Sequence, residues 1–136
     1  MHHICIPEKR NCVLARTQDP VAYVYEWGAR QLDSLEQAGI AREKIIFDPG
    51  IGFGKFAEHS LSLIQNIDRF SALGTRLLVG HSRKSFLSLF TGYDFPERDI
   101  ETLAMTLYLD KRNVDYLRIH NVEMCARGLR VMSAIA

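Results

Sequence analysis

The feature that most constrains the fold is a repeating pattern in which short apolar runs, most of them followed by glycine or a polar residue, alternate with stretches of helical periodicity. Met1 to Ile6, Ile45-Ile46-Phe47, Arg76-Leu-Leu-Val79 and Asp115-Tyr-Leu-Arg-Ile119 read as strands. The third is an unbroken apolar run after Arg76, the kind found in parallel strands buried on both sides. Asp19-Pro20 opens the first helix, with an N-cap carboxylate followed by proline at the first helical position. Val21, Val24, Tyr25, Gly28, Leu32 and Leu35 fall on one of its faces, and Gly39 stops it. A second helix is predicted from His59 or Ser60, with Leu61, Ile64, Ile67 and Phe70 or Leu73 inward and Gly74 at its end. A short helix carries Phe86, Leu87, Leu89 and Phe90, and a longer one over Asp99 to Lys111 turns Leu103, Ala104 and Leu107 inward. Asn121 caps the last helix, where Val122, Cys125, Leu129, Met132 and Ile135 form a stripe. Glu8 to Gln18 and Gly92 to Arg98 read as connections.

The order β-α-β-α-β-α-α-β-α implies an α/β fold with parallel strands and right-handed helical crossovers. His2 and His3, Asp48, His81 to Lys84, and Arg118 with His120 all fall at carboxyl ends of predicted strands. In parallel α/β architectures ligands bind at that edge. Four strands make half of an eight-stranded barrel.

Composition narrows the partners. A 136-residue chain with 47% apolar and 24% charged residues has enough apolar side chains for one core. A net charge of +1 gives no bulk attraction for nucleic acid or an anionic membrane. No apolar run is long enough to span a bilayer and the amino terminus lacks the apolar core of a signal peptide, so a cytoplasmic location is expected. Cys5, Cys12 and Cys125 are odd in number and lack CxxC spacing, which argues against a disulfide framework. A metal site built from His2, His3 and Cys5 would need further ligands that the sequence does not supply with convincing spacing.

Asp48-Pro-Gly-Ile-Gly-Phe-Gly-Lys55 is the mouth of a site. Alternate glycines let the backbone turn tightly beside a ligand, and Pro49 stiffens the turn. A P-loop would need glycine at Pro49 and a hydroxyl residue at Phe56, and a dinucleotide fingerprint would need glycine at Lys55. Neither fits. Asp48 is either a cap for the turn or an acceptor for a heterocycle with adjacent N–H donors. Phe53, between two glycines, reads as a lid or stacking ring, whereas Trp27 and the tyrosines are assigned to packing. Gly80-His-Ser-Arg-Lys-Ser85 either starts a helix whose amino terminus, Arg83 and Lys84 hold an anion, or is an N-cap beside a solvated basic pair. Arg118 and His120 share one side of the last strand and suit a phosphate or pyrophosphate.

These three motifs, residues 48–55, 77–86 and 118–122, in this order and spacing, resemble the carboxyl-terminal half of dihydropteroate synthase. Met1-His2-His3 with Pro7 is similar to that family's Met-His stretch at the fifth barrel strand. The resemblance covers essentially the whole chain. It implies a single partial domain over residues 1–136, strands five to eight of a (β/α)8 TIM-type barrel. The implied enzyme is a transferase of folate synthesis that joins 6-hydroxymethyl-7,8-dihydropterin diphosphate to p-aminobenzoate and releases pyrophosphate, with magnesium assisting. On that model Asp48, Gly80, Lys84 and Met1 bind the pterin, and Phe53 and Ser85 border the p-aminobenzoate, where sulfonamides compete. Arg118 and His120 hold the diphosphate and, with Lys84, carry the catalysis. No metal ligand is expected in this chain, and the complete form is expected to be a homodimer.

Asn121 stands where the family has aspartate, Cys5 where it has glycine, and Asn113-Val114 where it has Gly-Ala. The larger departure is length: the family's first four strands, with an asparagine, a second pterin-binding aspartate and a mobile loop, have no counterpart here. The chain is therefore expected to be an incomplete barrel with little turnover alone. A non-catalytic pterin-binding or assembly module is one alternative. A pterin-dependent methyltransferase barrel is another, disfavoured because it has no use for the joint Ser-Arg-Lys-Ser and Arg-x-His grips.

Overall fold

The computed structural model describes residues 1–3, 14–92 and 98–135. The parts of the first predicted strand after His3, most of the Glu8 to Gln18 connection, Cys5 and Cys12, and the Pro96 connection lie outside the described residues. Three parallel strands form one sheet in sequence order: β1 (Ile46–Phe47), β2 (Arg76–Val79) and β3 (Tyr116–Leu117). Ile46 pairs with Arg76 and Phe47 with Leu77, while Leu78 pairs with Tyr116 and Val79 with Leu117. On the other side of β1 the opening residues add a fourth parallel track. The His3 N–H donates to Asp48 O at 2.9 Å, and the Asp48 N–H to Met1 O at 2.8 Å. Winding order and strand direction are those expected of consecutive strands of a barrel.

Helix α1 (Pro20–Gln37) starts as its sequence dictates. The Asp19 carboxylate accepts from the N–H groups of Val21 and Ala22, and Pro20 stands in the first turn where no donor is needed. Val21, Val24, Gly28 and Leu32 are buried, and Gly28 faces the Phe47 ring of β1. Phe47 of β1 stacks on Phe70, with ring centroids 5.7 Å apart, and both are fully enclosed. Each such ring contributes roughly 1.5–3 kcal/mol by leaving water.

The second helix differs from the expectation. Helix α2 (Ala57–Gln65) begins before His59, with Phe56 as an N-cap that offers no side-chain acceptor. His59 and Ser60 are buried within it, because Ser60 Oγ accepts from the Gly52 N–H at 3.1 Å and ties the helix to the glycine turn. The predicted apolar face then continues as a 3-10 segment, Ile67–Leu73, whose Ile67, Phe70 and Leu73 are buried. After β2 a 3-10 turn, Ser85–Leu87, leads into the four-residue helix α3 (Ser88–Thr91).

Helix α4 (Asp99–Asp110) buries Glu101, Thr102, Thr106 and Leu109, while Leu103 and Leu107 are half-buried and Ala104 is exposed. The inward face is thus rotated from the predicted one, and the reason lies in β2. His81, which follows that strand, is fully buried and needs polar partners. Thr106 Oγ1 and the Thr102 carbonyl provide them, 2.9 and 3.3 Å from Nε2. Helix α5 (Val122–Ile135) is capped by Asn121, whose Oδ1 accepts from the Met124 N–H at 3.1 Å. Of its predicted stripe Cys125 is buried, whereas Val122 and Ile135 face outward.

Candidate ligand site

The carboxyl ends of these strands converge on a cavity of about 420 Å³ lined by His2, Phe53, Gly80, Ser82, Lys84, Arg118, Ile119 and His120. Asp48 is buried and is not itself among the lining residues; it meets the cavity through His2 and Arg118. Oδ1 accepts from the Gly50 N–H at 2.8 Å and closes the turn. Oδ2 is buried and makes no hydrogen bond among the described residues. It faces two donors at ion-pair range, Arg118 Nη2 at 3.3 Å and His2 Nε2 at 3.6 Å. A buried carboxylate oxygen without a hydrogen bond is costly unless a ligand supplies one.

The glycine turn is shaped to pass close to the opening segment. Gly50 has φ of +71°, and a Cβ there would lie 1.7 Å from the His3 carbonyl oxygen. The turn then carries Phe53 over the cavity. The Lys84 ammonium stands 3.8 Å from the centre of the Phe53 ring, and the His2 ring meets it edge-on at 4.8 Å. Burial is the first cause that lowers the Lys84 pKa from its ordinary value, and the Arg118 charge adds to it, opposed by Asp48. His2 is likewise lowered, first by burial, then by Arg118, Lys55 and Lys84 against the pull of Asp48.

The basic motif after β2 separates in space. Lys84 faces the cavity, but Arg83 turns away and grips Asp99 through both ends of its guanidinium, at 2.7 and 3.0 Å. Its positive φ of 55° is what turns it. His81 also leaves the site: burial pushes its pKa down to about 4, so the ring is a neutral core group. Ser82 does not cap a helix. Its Oγ accepts from the His120 N–H at 3.1 Å and shares a hydrogen bond with His120 Nδ1 at 2.9 Å. With Nδ1 taken as the acceptor of the Ser82 hydroxyl proton, the His120 proton resides on Nε2. The helical segment after Lys84 is too short for the anion-holding helix terminus considered from the sequence, so any anion here is held by side chains.

Arg118 lies directly over Gly80, where a Cβ would come within 2.6 Å of Nη2. Asp48, Gly80, Lys84, Arg118, His120 and Phe53 are therefore brought together as the sequence predicts. Ser85 is exposed and Met1 packs against the core; neither is among the cavity-lining residues. The sequence puts His2 and Ser82 at the ligand-binding edge but assigns neither a ligand contact, and it does not point to Ile119. The strand-end position of His2 was the available signal, whereas the bond from Ser82 to His120 has no local signature. Among the described residues no group of three or more metal-ligating side chains forms. A second cavity of about 450 Å³, between α2 and α4, is mainly apolar and lies away from the strand ends.

The family model described as pterin binding enzyme matches residues 1–120. The folate synthesis bifunctional protein of Chlamydia caviae is 39% identical over 137 residues, an alignment that covers 100% of this chain and 30% of that protein. The crystal structure of dihydropteroate synthase from Anaplasma phagocytophilum, with bound 6-hydroxymethylpterin-monophosphate, superposes with a TM-score of 0.82 at 34% identity. It covers 90% of this chain and 48% of that one. The Xanthomonas albilineans dihydropteroate synthase in complex with 7,8-dihydropteroate gives a TM-score of 0.85 at 30% identity, over 98% and 48% of the two chains. The chain thus spans about a third of that bifunctional relative and about half of those synthases. With residues 1–120 matched by the family model, the chain belongs to the pterin binding enzyme family.

Proposed function

We propose that this chain supplies the diphosphate-gripping half of a dihydropteroate synthase, which condenses 6-hydroxymethyl-7,8-dihydropterin diphosphate with p-aminobenzoate. The observation that carries the reading is the buried, unbonded Oδ2 of Asp48 set between Arg118 and His2 at the carboxyl edge of a parallel sheet. A pterin's amino-pyrimidine edge offers adjacent N–H donors to such an oxygen. Its methylene diphosphate then extends toward Arg118, His120 and Lys84.

In the proposed reaction the methylene C–O bond breaks and its electron pair leaves with the diphosphate. The arylamine nitrogen forms the new C–N bond and releases a proton. Arg118 and the Nε2–H of His120 stabilise negative charge as it develops on the leaving oxygen, in a site already arranged to receive it. Phe53 borders the arylamine, a place where sulfonamides would compete. Magnesium takes oxygen ligands, and the cavity offers cations and imidazoles around one carboxylate, so these residues do not build a magnesium site. If magnesium is used, its ligands are diphosphate oxygens and groups outside this chain.

The complete protein is proposed to be a cytoplasmic homodimer. The chain alone should turn over little, because among the described residues no strand pairs with the outer edge of β3 or of the opening segment to close a barrel. Calorimetric binding of a dihydropterin diphosphate analogue, with magnesium and pyrophosphate controls, tests this on the chain and on a form completed with the other half-barrel. Binding by the completed form only is expected. Tight binding by the chain alone would favour a self-sufficient pterin-binding module, and binding by neither would reject the reading.

A further inference from the structure

We propose that Lys55 is a positioning residue that clamps the glycine turn onto the opening segment and thereby holds Phe53 over the arylamine place. The assignment of that place rests on the synthase reading; the clamp itself rests on geometry. Lys55 is buried, and its ammonium donates to Gly50 O at 2.8 Å and to Phe53 O at 2.9 Å, and meets His3 Nδ1 at 2.8 Å. An ammonium withdrawn from water is tolerable only when its protons find acceptors, and here the ammonium's three protons each meet one. The two carbonyls lie at either end of the tightest part of the turn, so one cation crosslinks it.

His3 anchors the clamp to the fold. Its ring is buried edge-on against Trp27 at 4.7 Å and Tyr23 at 5.9 Å, both on α1. To accept from Lys55, Nδ1 must carry no proton. Burial pushes the His3 pKa down to about 4, and the neighbouring Lys55 and His2 charges push it the same way. Asp48 does not depend on this arrangement. Its backbone is held on both sides by the His3 and Met1 pairing, and its Oδ1 by Gly50. Losing the Lys55 ammonium therefore releases Phe53 while leaving the pterin acceptor in place.

The test uses the complete, active protein and Lys55→Met, which keeps the stem and removes the donors. The expected result is a KM for p-aminobenzoate raised at least tenfold, with affinity for the pterin analogue changed less than threefold. Because Lys55 acts through Phe53, the double variant with Phe53→Ala should be no worse than Phe53→Ala alone. Additive losses, or equal losses for both ligands, would overturn the proposal. Lys55→Gln, which is neutral but still a donor, takes its place if Lys55→Met does not fold.

A second readout is independent of turnover: the pH titration of the His3 imidazole by NMR, assigned by its loss in His3→Gln. The midpoint should lie near 4 and move upward in Lys55→Met, since among the described residues the facing groups are then His2 and Tyr23. A midpoint that stays put overturns the clamp. If the complete protein uses no arylamine at all, the synthase reading fails and this titration still decides the clamp.

Discussion

Arg118 lies over the backbone of Gly80 and brings Nη2 to 3.3 Å from Oδ2 of Asp48, so the cation proposed to hold the leaving group and the anion proposed to hold the heterocycle share one contact. Nothing larger than hydrogen fits beneath the guanidinium. A Cβ at residue 80 would stand 2.6 Å from Nη2, and because the clash is with the far end of a flexible side chain, the arginine gives way and not the strand. Gly80→Ala should therefore leave the melting temperature within a few degrees of wild type. It should weaken binding of pyrophosphate or the pterin diphosphate about tenfold, equivalent to ~1.4 kcal/mol. Titration calorimetry beside a thermal melt checks both halves.

Asp48→Asn separates the turn from the ligand. The amide oxygen takes over the bond from the Gly50 N–H, so the turn closes as before. The amide nitrogen then faces Arg118 and His2 with donors where an acceptor stood. An N–H edge loses its partner and meets another donor, so pterin affinity should fall about a hundredfold, in line with the cost of leaving a buried polar group unpaired. Stability should change by less than about 1 kcal/mol. A pterin affinity within threefold of wild type would show that Oδ2 is not the acceptor.

What could be read from the sequence and what could not divide along a physical line. The parallel order and the meeting of Asp48, Lys84, Arg118 and His120 were legible because strand ends in such a fold converge whatever lies between them. The residues by themselves did not separate Arg83 from Lys84; only the family resemblance pointed to Lys84. Both are basic neighbours, and the one that leaves the site does so because Asp99, sixteen residues on, offers a bidentate partner. The buried face of α4 was misread for a similar reason: apolar periodicity pointed to Leu103 and Leu107, whereas the buried His81 required Thr102 and Thr106. Side chains that satisfy a distant polar group follow no local period.

His81 makes acid stability a further test. Its ring is fully buried, and burial lowers its pKa from 6.5 to about 4. Between those values the unfolded chain binds a proton that the folded protein refuses, so stability falls as pH drops through that window. Above it the ring is neutral in both states and contributes no pH dependence. The loss is on the order of 3 kcal/mol by the bottom of the window, and His3, pushed to a similar value, adds in the same direction. Denaturant titrations of the complete protein at several pH values should show this slope, and His81→Gln should flatten it. An unchanged slope would mean that His81 does not stay neutral in the fold.

Lys84→Ala tests the site most directly because the lysine touches several parts of it. Its ammonium rests 3.8 Å from the centre of the Phe53 ring, its stem lies against Gly52, and its charge helps depress His2. Lys84 is not part of the buried apolar cluster that forms the core. Truncation should therefore cost little stability, at most about 1 kcal/mol for a partly exposed cation–π contact. The effect on chemistry should be much larger. Removing one of the cations around a departing diphosphate takes away charge stabilisation that grows as the C–O bond breaks, and losses for such groups run to about a hundredfold or more in kcat. The His2 pKa should rise once the neighbouring positive charge is gone, which NMR would register even in an inactive variant. A fully folded Lys84→Ala protein with kcat unchanged would remove Lys84 from the catalytic set and leave Arg118 and His120 to hold the diphosphate alone.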